Sequence, residues 1–199
     1  MEIKEIVVAT SNIHKMKEYR LMLEPLGYQV DSLSDMHIDL DVEETGNTFA
    51  ENSLIKANYV AKMLPNKIII ADDSGLEIKA LNGFPGIYSA RFMQSNPYET
   101  KCRALIERLK EYDDKSANFT TVISLVNFDK QNYTFEGKAF GKIVDNICGT
   151  DGFGYDPIFY SNDLRKTFGE ATAKEKSLVS HRGKALRKMV SFLNEHHQK

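Results

Sequence analysis

The feature that most constrains the fold of this chain is an unbroken apolar run at Lys67–Ala71 (KIIIA), which follows Pro65 and leads into two aspartates. A run without polar alternation is typical of a strand that is covered on both faces of its sheet. An apolar, β-branched segment at Ile3–Ala9 forms another candidate strand, and patterns with helical spacing lie between the two. This alternation of strands and helices predicts an α/β fold.

Two helices are predicted between these strands. Apolar residues at helical spacing follow the first strand and stop at Pro25 and Gly27, which are residue types that end helices. A second helical pattern begins near Thr48, where Thr48 and Glu51 fit the capping box that often opens a helix. Its apolar stripe ends before Pro65. The chain is therefore predicted to open with a strand, two helices and a buried strand.

The second half of the chain predicts a β-hairpin and two further helices. The β-rich segments NFTTVISLVNF and NYTFEGKAFGKIV are separated by the turn-like DKQN, which is typical of an antiparallel hairpin within a mixed sheet. Helices are expected over Tyr98–Tyr112 and from about Ser180 to His197. The glycine- and proline-rich stretch GLEIKALNGFPGIYSARF is expected to be a connection full of turns.

Size and composition favour one compact domain over residues 1–199. A hydrophobic fraction of 42% and a formal net charge of -2 exclude a disordered chain and a protein that coats nucleic acid. The two cysteines, Cys102 and Cys148, are too few for a disulfide framework or a thiolate metal site, so both are interpreted as structural. No membrane-length apolar run or signal pattern occurs, and we expect a cytoplasmic location.

The segment Ala9–Lys15 (ATSNIHK) has the composition of a phosphate-binding turn between a strand and a helix. Backbone N–H groups and the positive end of the helix dipole would face the anion. The side chains of Thr10, Ser11 and Asn12 would add hydrogen bonds, and Lys15 would add a charge. The alternative is that Ser11 or Asn12 only caps the helix and Lys15 is solvated. The spacing does not match a P-loop.

The segment ADDSG places Asp72 and Asp73 side by side at the end of an apolar strand. Adjacent carboxylates repel each other and lose hydration beside apolar residues, so a partner such as a divalent cation must offset that cost. If the strand continues, the two side chains point to opposite faces, and only one enters a given site directly. The alternative is a structural turn that involves Ser74 and Gly75.

Two further charged segments each have a functional and a structural interpretation. Glu43 and Glu44 precede a helix, where acidic residues are favourable in any case. Near the carboxy terminus, Lys176 precedes a Ser-His-Arg cluster that contains His181 and Arg182 and opens the last helix. This basic segment is either a solvated helix face, a nucleic-acid surface, or, in its first residues alone, part of a nucleotide pocket.

Taken in order, TSNIHK, VEETGNTFAENSLIKA, ADDSGLEIKALNGFPGIYSAR, GTDGFGYDPIF and EKSLVSHRGKAL resemble the inosine/xanthosine triphosphate pyrophosphatase (ITPase-like) family over nearly the whole chain. The resemblance implies a homodimer of two-lobed α/β subunits, with an elongated mixed central β-sheet, flanking helices and a nucleotide cleft between the lobes. It also implies hydrolysis of nonstandard purine nucleoside triphosphates (ITP, dITP and XTP) to the monophosphate and pyrophosphate.

The resemblance further implies where substrate and metal bind. The triphosphate would contact the phosphate turn and two more lysines, that is Thr10, Ser11, Asn12, Ile13, His14, Lys15, Lys56 and Lys176. Magnesium (Mg²⁺) would lie near Glu43 and Asp73, with Asp73 as the proton acceptor and Asp72 as a supporting acid. The physical argument agrees, because Mg²⁺ takes oxygen ligands, usually one or two carboxylates together with phosphate oxygens and water.

The purine nucleoside would contact a separate set of residues. Ser74 would contact the substrate. The wall around base and sugar would consist of Phe153, Gly154, Tyr155 and Asp156. The purine edge would be recognised by His181 and Arg182. Ser11 and His14 stand where family members often have glycine. The alternatives are a pyrophosphatase for other modified nucleotides and a non-enzymatic nucleotide- or nucleic-acid-binding module. We expect neither a membrane association nor a stable nucleic-acid partner.

Overall fold

The computed structural model describes residues 4–196, which form one mixed β-sheet with flanking helices. Seven strands are present in these residues: β1 (Lys4–Val8), β2 (Tyr28–Ser32), β3 (Ile68–Ile78), β4 (Ser116–Val126), β5 (Tyr133–Ile143), β6 (Phe159–Ser161) and β7 (Lys166–Thr167). The α-helices in the same residues are α1 (Ile13–Leu23), α2 (Phe49–Met63), α3 (Tyr98–Arg108), α4 (Ala173–Val179) and α5 (His181–His196).

The strand order in the sheet is β2-β1-β3-β4-β5-β6-β7. Strand β1 pairs in parallel with both β2 and β3, whereas β6 pairs antiparallel with both β5 and β7. Parallel neighbours need crossover connections. Helix α1 lies in the connection between β1 and β2, and helix α2 lies in the connection between β2 and β3. The predicted α/β class with a mixed sheet is confirmed.

Strands β1 and β3 are buried on both faces, as the apolar run predicted. On one face Ile6, Val8 and Ile70 belong to a core cluster that includes residues of α1 and α5. On the other face Val7 and Ile69 belong to a second cluster that includes residues of α2. All five side chains are fully buried, at 0% exposure. Strand alternation therefore sends successive apolar side chains into two different cores.

The ends of the first two helices largely follow the sequence signals. Helix α1 is followed by a short 3-10 turn that contains Pro25, and Gly27 then adopts a left-handed φ of 85° that closes it. Thr48 is the N-cap of α2, because its side chain accepts a hydrogen bond from the amide of Glu51. The side chain of Glu51 accepts from the amide of Asn47, one residue earlier than a capping box requires.

Strand β3 is longer than predicted, because it continues through Asp72–Gly75 and ends at Ile78. The alternative of a structural turn at these residues is wrong, and so is the expectation of turns directly after Gly75. The extended backbone is held by the loop that follows, since the amide of Leu76 donates to Ser89 Oγ over 2.9 Å. A Cβ atom on Gly75 would lie 2.6 Å from that Ser89 oxygen, so the close approach requires glycine.

Other boundaries differ in detail from the predictions. Helix α3 ends four residues before the predicted Tyr112. The carboxy-terminal helix is preceded by a separate helix, α4, which Thr172 and Glu175 open with a complete capping box. The predicted ends at Ile3 and His197 lie outside the described residues. In the part of the chain that is described, no helix has both the length and the apolar character needed to cross a membrane.

The described chain divides into two compact units. The first unit contains residues 4–73, 121–136 and 185–196, and the second contains residues 74–120 and 137–184. Strands β3, β4 and β5 and helix α5 each contribute residues to both units. The two core clusters described above belong to the first unit, and the second unit has a core of its own. The single domain over residues 1–199 stays a prediction.

Candidate functional site

Many of the predicted site residues lie in two clusters, one in each unit, together with residues that were not predicted. We call the first the carboxylate-lysine cluster, which consists of Lys15, Glu44, Asn52, Lys56, Asp72 and Asp73. We call the second the aromatic-cation cluster, which consists of Ser74, Phe153, Asp156, Lys176, His181 and Arg182, with the neighbouring ring of Phe119.

In the carboxylate-lysine cluster, Asp73 is held at both carboxylate oxygens. Its Oδ1 lies 3.6 Å from the ammonium of Lys56, and its Oδ2 accepts a hydrogen bond of 3.2 Å from Asn52 Nδ2. Lys56 also forms an ion pair with Glu44, so one ammonium serves two carboxylates. Asp73 is 6% exposed and Lys56 is 7% exposed, which means that both charges are largely removed from water. Such charges are costly unless they are paired.

The pKa values of this pair follow from burial and from the excess of acids. Burial raises the pKa of Asp73 above its ordinary value, and the attraction of Lys56 only partly opposes this effect. For Lys56, burial alone would lower the pKa, but the charges of Asp73, Glu44 and Asp72 outweigh it, and the pKa is raised. Lys56 therefore stays protonated, and the carboxylates of Glu44 and Asp73 share its single positive charge.

Asp72 has partners different from those of Asp73. Its Oδ2 lies 3.0 Å from the ammonium of Lys15 and accepts a hydrogen bond of 3.3 Å from Thr121 Oγ1. Lys15 belongs to α1, whereas Lys56 belongs to α2. The adjacent aspartates therefore use lysines from two different helices, as expected when successive strand residues point to opposite faces.

The predicted phosphate turn contains a capped helix end. The side chain of Asn12 accepts hydrogen bonds from the amides of His14 (2.9 Å) and Lys15 (3.2 Å), and it is the N-cap of α1. The amide of Asn12 in turn donates to Thr10 Oγ1 over 3.2 Å. Capping is thus the observed role of Asn12, and Lys15 is paired with Asp72. Contact of this turn with phosphate stays a prediction; Ser11, Ile13 and His14 are exposed.

The two neighbouring glutamates have different environments. Glu43 is exposed, whereas Glu44 is paired with Lys56. Glu44 and Asp73 therefore supply two carboxylates beside the same lysine. Within residues 4–196, no three His, Cys, Asp or Glu side chains form a group that could hold a metal ion. This donor set does not fit a closed structural site, but it fits a divalent cation that is completed by phosphate oxygens and water.

The aromatic-cation cluster contains a buried ion pair. Lys176 Nζ lies 2.7 Å from Asp156 Oδ2, and both residues are buried. The same carboxylate oxygen accepts a hydrogen bond of 2.7 Å from the amide of Phe153. The Lys176 ammonium also lies 4.6 Å from the centre of the Phe153 ring, within the range of a cation–π contact. Lys176, predicted for the triphosphate, is thus held among the residues predicted for the base.

His181 and Arg182 are both buried, at 4% and 1% exposure. Arg182 Nη2 donates to Ser74 Oγ over 3.0 Å, and its guanidinium carbon lies 6.0 Å from the Phe153 ring centre. The His181 ring stacks on Phe119 with a centroid distance of 4.8 Å and an angle of 12°. A solvated helix face is therefore the wrong interpretation for these two residues.

The turn at Gly154 and Tyr155 is held by hydrogen bonds to other parts of the second unit. The Tyr155 hydroxyl donates to the carbonyl of Ser89 over 2.8 Å, and the thiol of Cys102 donates to the carbonyl of Gly154 over 3.7 Å. Burial raises the pKa of Cys102 to about 12. A thiol with so high a pKa is unreactive. It supports the structural interpretation of this cysteine.

Three contributors were not identified from the sequence. Asn52 and Thr121 contact the aspartate pair, and Phe119 stacks on His181. A signal for Asn52 exists, because it lies four residues before Lys56 and so shares a helix face with it. Thr121 and Phe119 lie in β4, far from their partners in sequence, and no local pattern distinguishes them.

Lysines beside carboxylates on an α/β sheet are residue types that suit a phosphate group and its divalent cation. The chain belongs to the Ham1 family, whose model matches residues 6–192. This membership confirms the resemblance inferred from the sequence.

Similar proteins match over nearly their full length. A dITP/XTP pyrophosphatase from Clostridium perfringens is 44% identical over 198 residues, covering 96% of this chain and 97% of the relative. The solved structure of the Staphylococcus aureus Ham1 protein has a TM-score of 0.86 and 42% identity, covering 97% of this chain and all (100%) of that one. A HAM1 protein structure from Coxiella burnetii also has a TM-score of 0.86, at 36% identity, with coverage of 97% and 100%.

Proposed function

We propose that this chain hydrolyses nonstandard purine nucleoside triphosphates (ITP, dITP and XTP) to the nucleoside monophosphate and pyrophosphate, and so removes them from the nucleotide pool. The names of its relatives, dITP/XTP pyrophosphatases at 40–44% identity, support this substrate class. The main structural support for the proposal is the carboxylate-lysine cluster. It joins Lys15, Lys56 and Asp73, which the sequence separates widely, into one charged group.

In this proposal the lysines bind the triphosphate and Asp73 accepts a proton. Lys15 and Lys56 offset the negative charge of the phosphate chain, with further contacts from the turn at Thr10–Lys15. The water oxygen attacks the phosphorus of the first phosphate, and the water proton passes to Asp73. The bond from this phosphorus to the bridging oxygen breaks, and pyrophosphate leaves with that oxygen. The raised pKa of Asp73, caused mainly by burial, makes it a stronger base than an aspartate in water. Asp72 holds Lys15 in position.

A divalent cation, which we propose to be Mg²⁺, would bind at Asp73 together with an acidic residue of the preceding loop. When bound, it supplies charge neutralisation and polarises the attacking water. The sequence suggested Glu43 as the second ligand. The pairing of Glu44 with Lys56, and the exposure of Glu43, favour Glu44 for this role. If Glu44 and Asp73 bound the cation instead of Lys56, the Lys56 ammonium would become available to phosphate.

The aromatic-cation cluster would take the purine. Phe153 offers a ring face, and residues Phe153, Gly154, Tyr155 and Asp156 form the wall around base and sugar, with Ser74 at its edge. Arg182 and His181 would read the purine edge, because a guanidinium has only donors and inosine and xanthine carry an acceptor oxygen at the 6 position. The Lys176–Asp156 pair would orient this wall. The active form would be a cytoplasmic homodimer.

Release of pyrophosphate from a panel of nucleotides tests this function. The panel contains ITP, dITP, XTP, ATP, GTP, a methylated purine triphosphate and a modified pyrimidine triphosphate, each with Mg²⁺ and with EDTA. We expect turnover of ITP, dITP and XTP at rates at least about 100-fold above those of ATP and GTP, and only with the metal. Pyrophosphate and orthophosphate are measured separately.

Three outcomes would contradict the proposal. Preference for the pyrimidine or methylated substrate would indicate a pyrophosphatase for other modified nucleotides. Stepwise orthophosphate release would show that a different bond is cleaved. Nucleotide binding without any turnover would indicate a non-enzymatic binding module.

A further inference from the structure

We propose that Asn52 is a positioning residue for the reaction: it fixes the orientation of the Asp73 carboxylate and docks the acidic loop, defined as residues 43–47, at a set distance from it. The proposal rests on the proposed function in so far as Asp73 and this loop serve the reaction. The structural tie itself is independent of what the chain hydrolyses.

Both ends of the Asn52 amide are engaged. Its Oδ1 accepts a hydrogen bond of 2.8 Å from the backbone amide of Gly46, and its Nδ2 donates over 3.2 Å to Asp73 Oδ2. The assignment of oxygen and nitrogen is determined by the partners, because a backbone amide only donates and a carboxylate accepts. Asn52 is fully buried, at 0% exposure, so that these bonds do not compete with bulk water.

The loop side of this tie requires a close approach. A Cβ atom on Gly46 would lie 2.7 Å from Asn52 Oδ1 and 2.6 Å from the Cβ of Glu51. Only glycine therefore lets the loop reach the asparagine. The next amide, that of Asn47, donates to the Glu51 side chain. Two consecutive loop amides are thus bound by two consecutive side chains at the start of α2.

Asn52 and Lys56 hold Asp73 in complementary ways. They lie one helical turn apart on α2, and each contacts a different oxygen of the same carboxylate. Each also contacts the acidic loop, Asn52 through Gly46 and Lys56 through Glu44. The terminal torsion of an aspartate is broad, so one contact leaves the carboxylate plane free to rotate and two contacts fix it. Because an ammonium is a compact charge without a preferred plane, the asparagine supplies the directional bond.

This arrangement predicts a specific kinetic effect when Asn52 is lost. A misplacement of about 1 Å at a reacting group costs about 100-fold in rate. Loss of Asn52 would leave Asp73 beside Lys56 with its charge intact and its orientation unset. The turnover number should then fall while substrate binding is largely retained, since Lys15 and Lys56 remain. A residue that only filled the core would not separate these two quantities.

The experiment compares Asn52→Ala with Gly46→Ala and with the control Ser53→Ala. Ser53 is the neighbouring residue on α2, is equally buried, and bonds to Ser124 and to the carbonyl of Ala50. Steady-state kinetics with ITP give kcat and KM. Hydrogen exchange at the Gly46 amide, followed by NMR without nucleotide or metal, reports the tie directly.

We expect kcat to fall about 100-fold in Asn52→Ala with KM changed less than about threefold, and a similar fall in Gly46→Ala. Exchange at the Gly46 amide should accelerate at least about tenfold in Asn52→Ala, and Ser53→Ala should change neither kcat nor this exchange rate by more than about twofold. Circular dichroism and Tm establish that each variant is folded. If Asn52→Ala does not fold, Gly46→Ala carries the same kinetic expectation.

The proposal is overturned if Gly46 keeps its protection in Asn52→Ala, if kcat stays within about twofold of the wild type, or if Ser53→Ala loses as much activity as Asn52→Ala. Absence of pyrophosphate release from the wild-type chain would instead refute the proposed function and, with it, the catalytic role of Asn52. The exchange measurement would then still decide whether the tie exists.

Discussion

The carboxylate-lysine cluster and the aromatic-cation cluster balance their charges differently. In the first, two lysines face three carboxylates, and Lys56 is shared between Glu44 and Asp73. In the second, Lys176 and Asp156 form a one-to-one pair, and the Lys176 ammonium also lies near the rings of Phe153 and Phe168. The first cluster has an excess of negative charge. The second has a neutral pair beside aromatic rings and, in Arg182, one further buried cation.

The difference teaches which ligand chemistry each cluster can accept. An excess of buried carboxylates attracts cations, and a metal with its phosphate ligands satisfies that requirement. A neutral ion pair among aromatic rings, with the donors of Arg182 beside it, instead suits a planar, uncharged group that carries acceptor atoms at its edge. Substitutions in the two clusters should therefore affect different steps of the reaction.

The largest effect is expected from Asp73→Asn, which should lower kcat/KM for ITP by about 1,000-fold because it removes the proton acceptor and a metal ligand. The stability of this variant, in contrast, should be equal to or higher than that of the wild type at pH 8. Burial raises the pKa of Asp73, so the native state binds this proton more tightly than the unfolded chain does. The stability from this group is complete below the unfolded pKa and is lost as pH rises through the folded pKa.

The Asp73→Asn variant should accordingly have an unchanged or higher Tm at pH 8 in EDTA, with the difference disappearing toward pH 4. Thermal melts across this range check the sign. Asp163→Asn, which alters an exposed acid paired with Lys184, is the matched control and should keep full activity. A folded Asp73→Asn variant with near-normal turnover would remove Asp73 from the mechanism.

The second prediction concerns the aromatic-cation cluster. Arg182→Ala should lower the ratio of kcat/KM for ITP over ATP by about 100-fold, mainly through loss of the ITP reaction, because the donor for the 6-oxygen is gone. Arg187→Ala, an exposed arginine of the same helix, is the control. Equal losses for both nucleotides would mean that Arg182 holds Ser74 and the fold and does not read the base.

The third prediction separates binding from chemistry within the carboxylate-lysine cluster. Lys15→Ala should raise KM for ITP about 10- to 100-fold, since one hydrogen bond to a charged group contributes about 1.5–3 kcal/mol. Lys62→Ala removes an exposed lysine of α2 and should change nothing. An unchanged KM in Lys15→Ala at low salt would assign Lys15 to the support of Asp72 alone.

The smallest effect is expected from Glu175→Gln on the surface of the second unit. Hydrogen bonds from Lys166 and Thr172 lower the pKa of Glu175 to about 2. A lowered pKa contributes stability that is present above the unfolded value, near 4.5, and is lost as pH falls toward 2. The variant should melt slightly below the wild type at pH 7 and equally at pH 2. A difference that persists at pH 2 would assign it to the lost cap geometry.

The local patterns of the sequence were sufficient for much of the fold. The apolar run before Asp72 predicted a strand with two buried faces, and Thr48 predicted the start of α2. The extension of β3 past Gly75 could not be predicted, because its cause is a contact with Ser89, a distant residue in a loop. Turn-forming residues such as Gly75 lose their local preference when tertiary contacts hold the backbone extended.

The candidate site was predicted unevenly for the same reason. Adjacent aspartates after an apolar strand are unusual enough to be noticed in a sequence. The choice between Glu43 and Glu44 has no periodic pattern to decide it, since both lie in a loop, and only the contact with Lys56 distinguishes them. Asn52 appears in the sequence as one of several polar residues of the second helix, and its bond to Asp73 depends on the folded chain.

The division of the chain also affects its synthesis. The core around Ile6 and Val8 in β1 includes Ala185, Leu186 and Met189 in α5. This core can therefore form completely only after α5 has been translated. At about 5–20 residues per second, a ribosome needs roughly 10–40 s to translate the stretch from β1 to α5. During that time α1 can cover part of this face of β1, but the side chains of α5 are missing from the core. A premature stop codon before α5 would therefore release a truncated chain whose core around β1 is incomplete and accessible to chaperones and proteases.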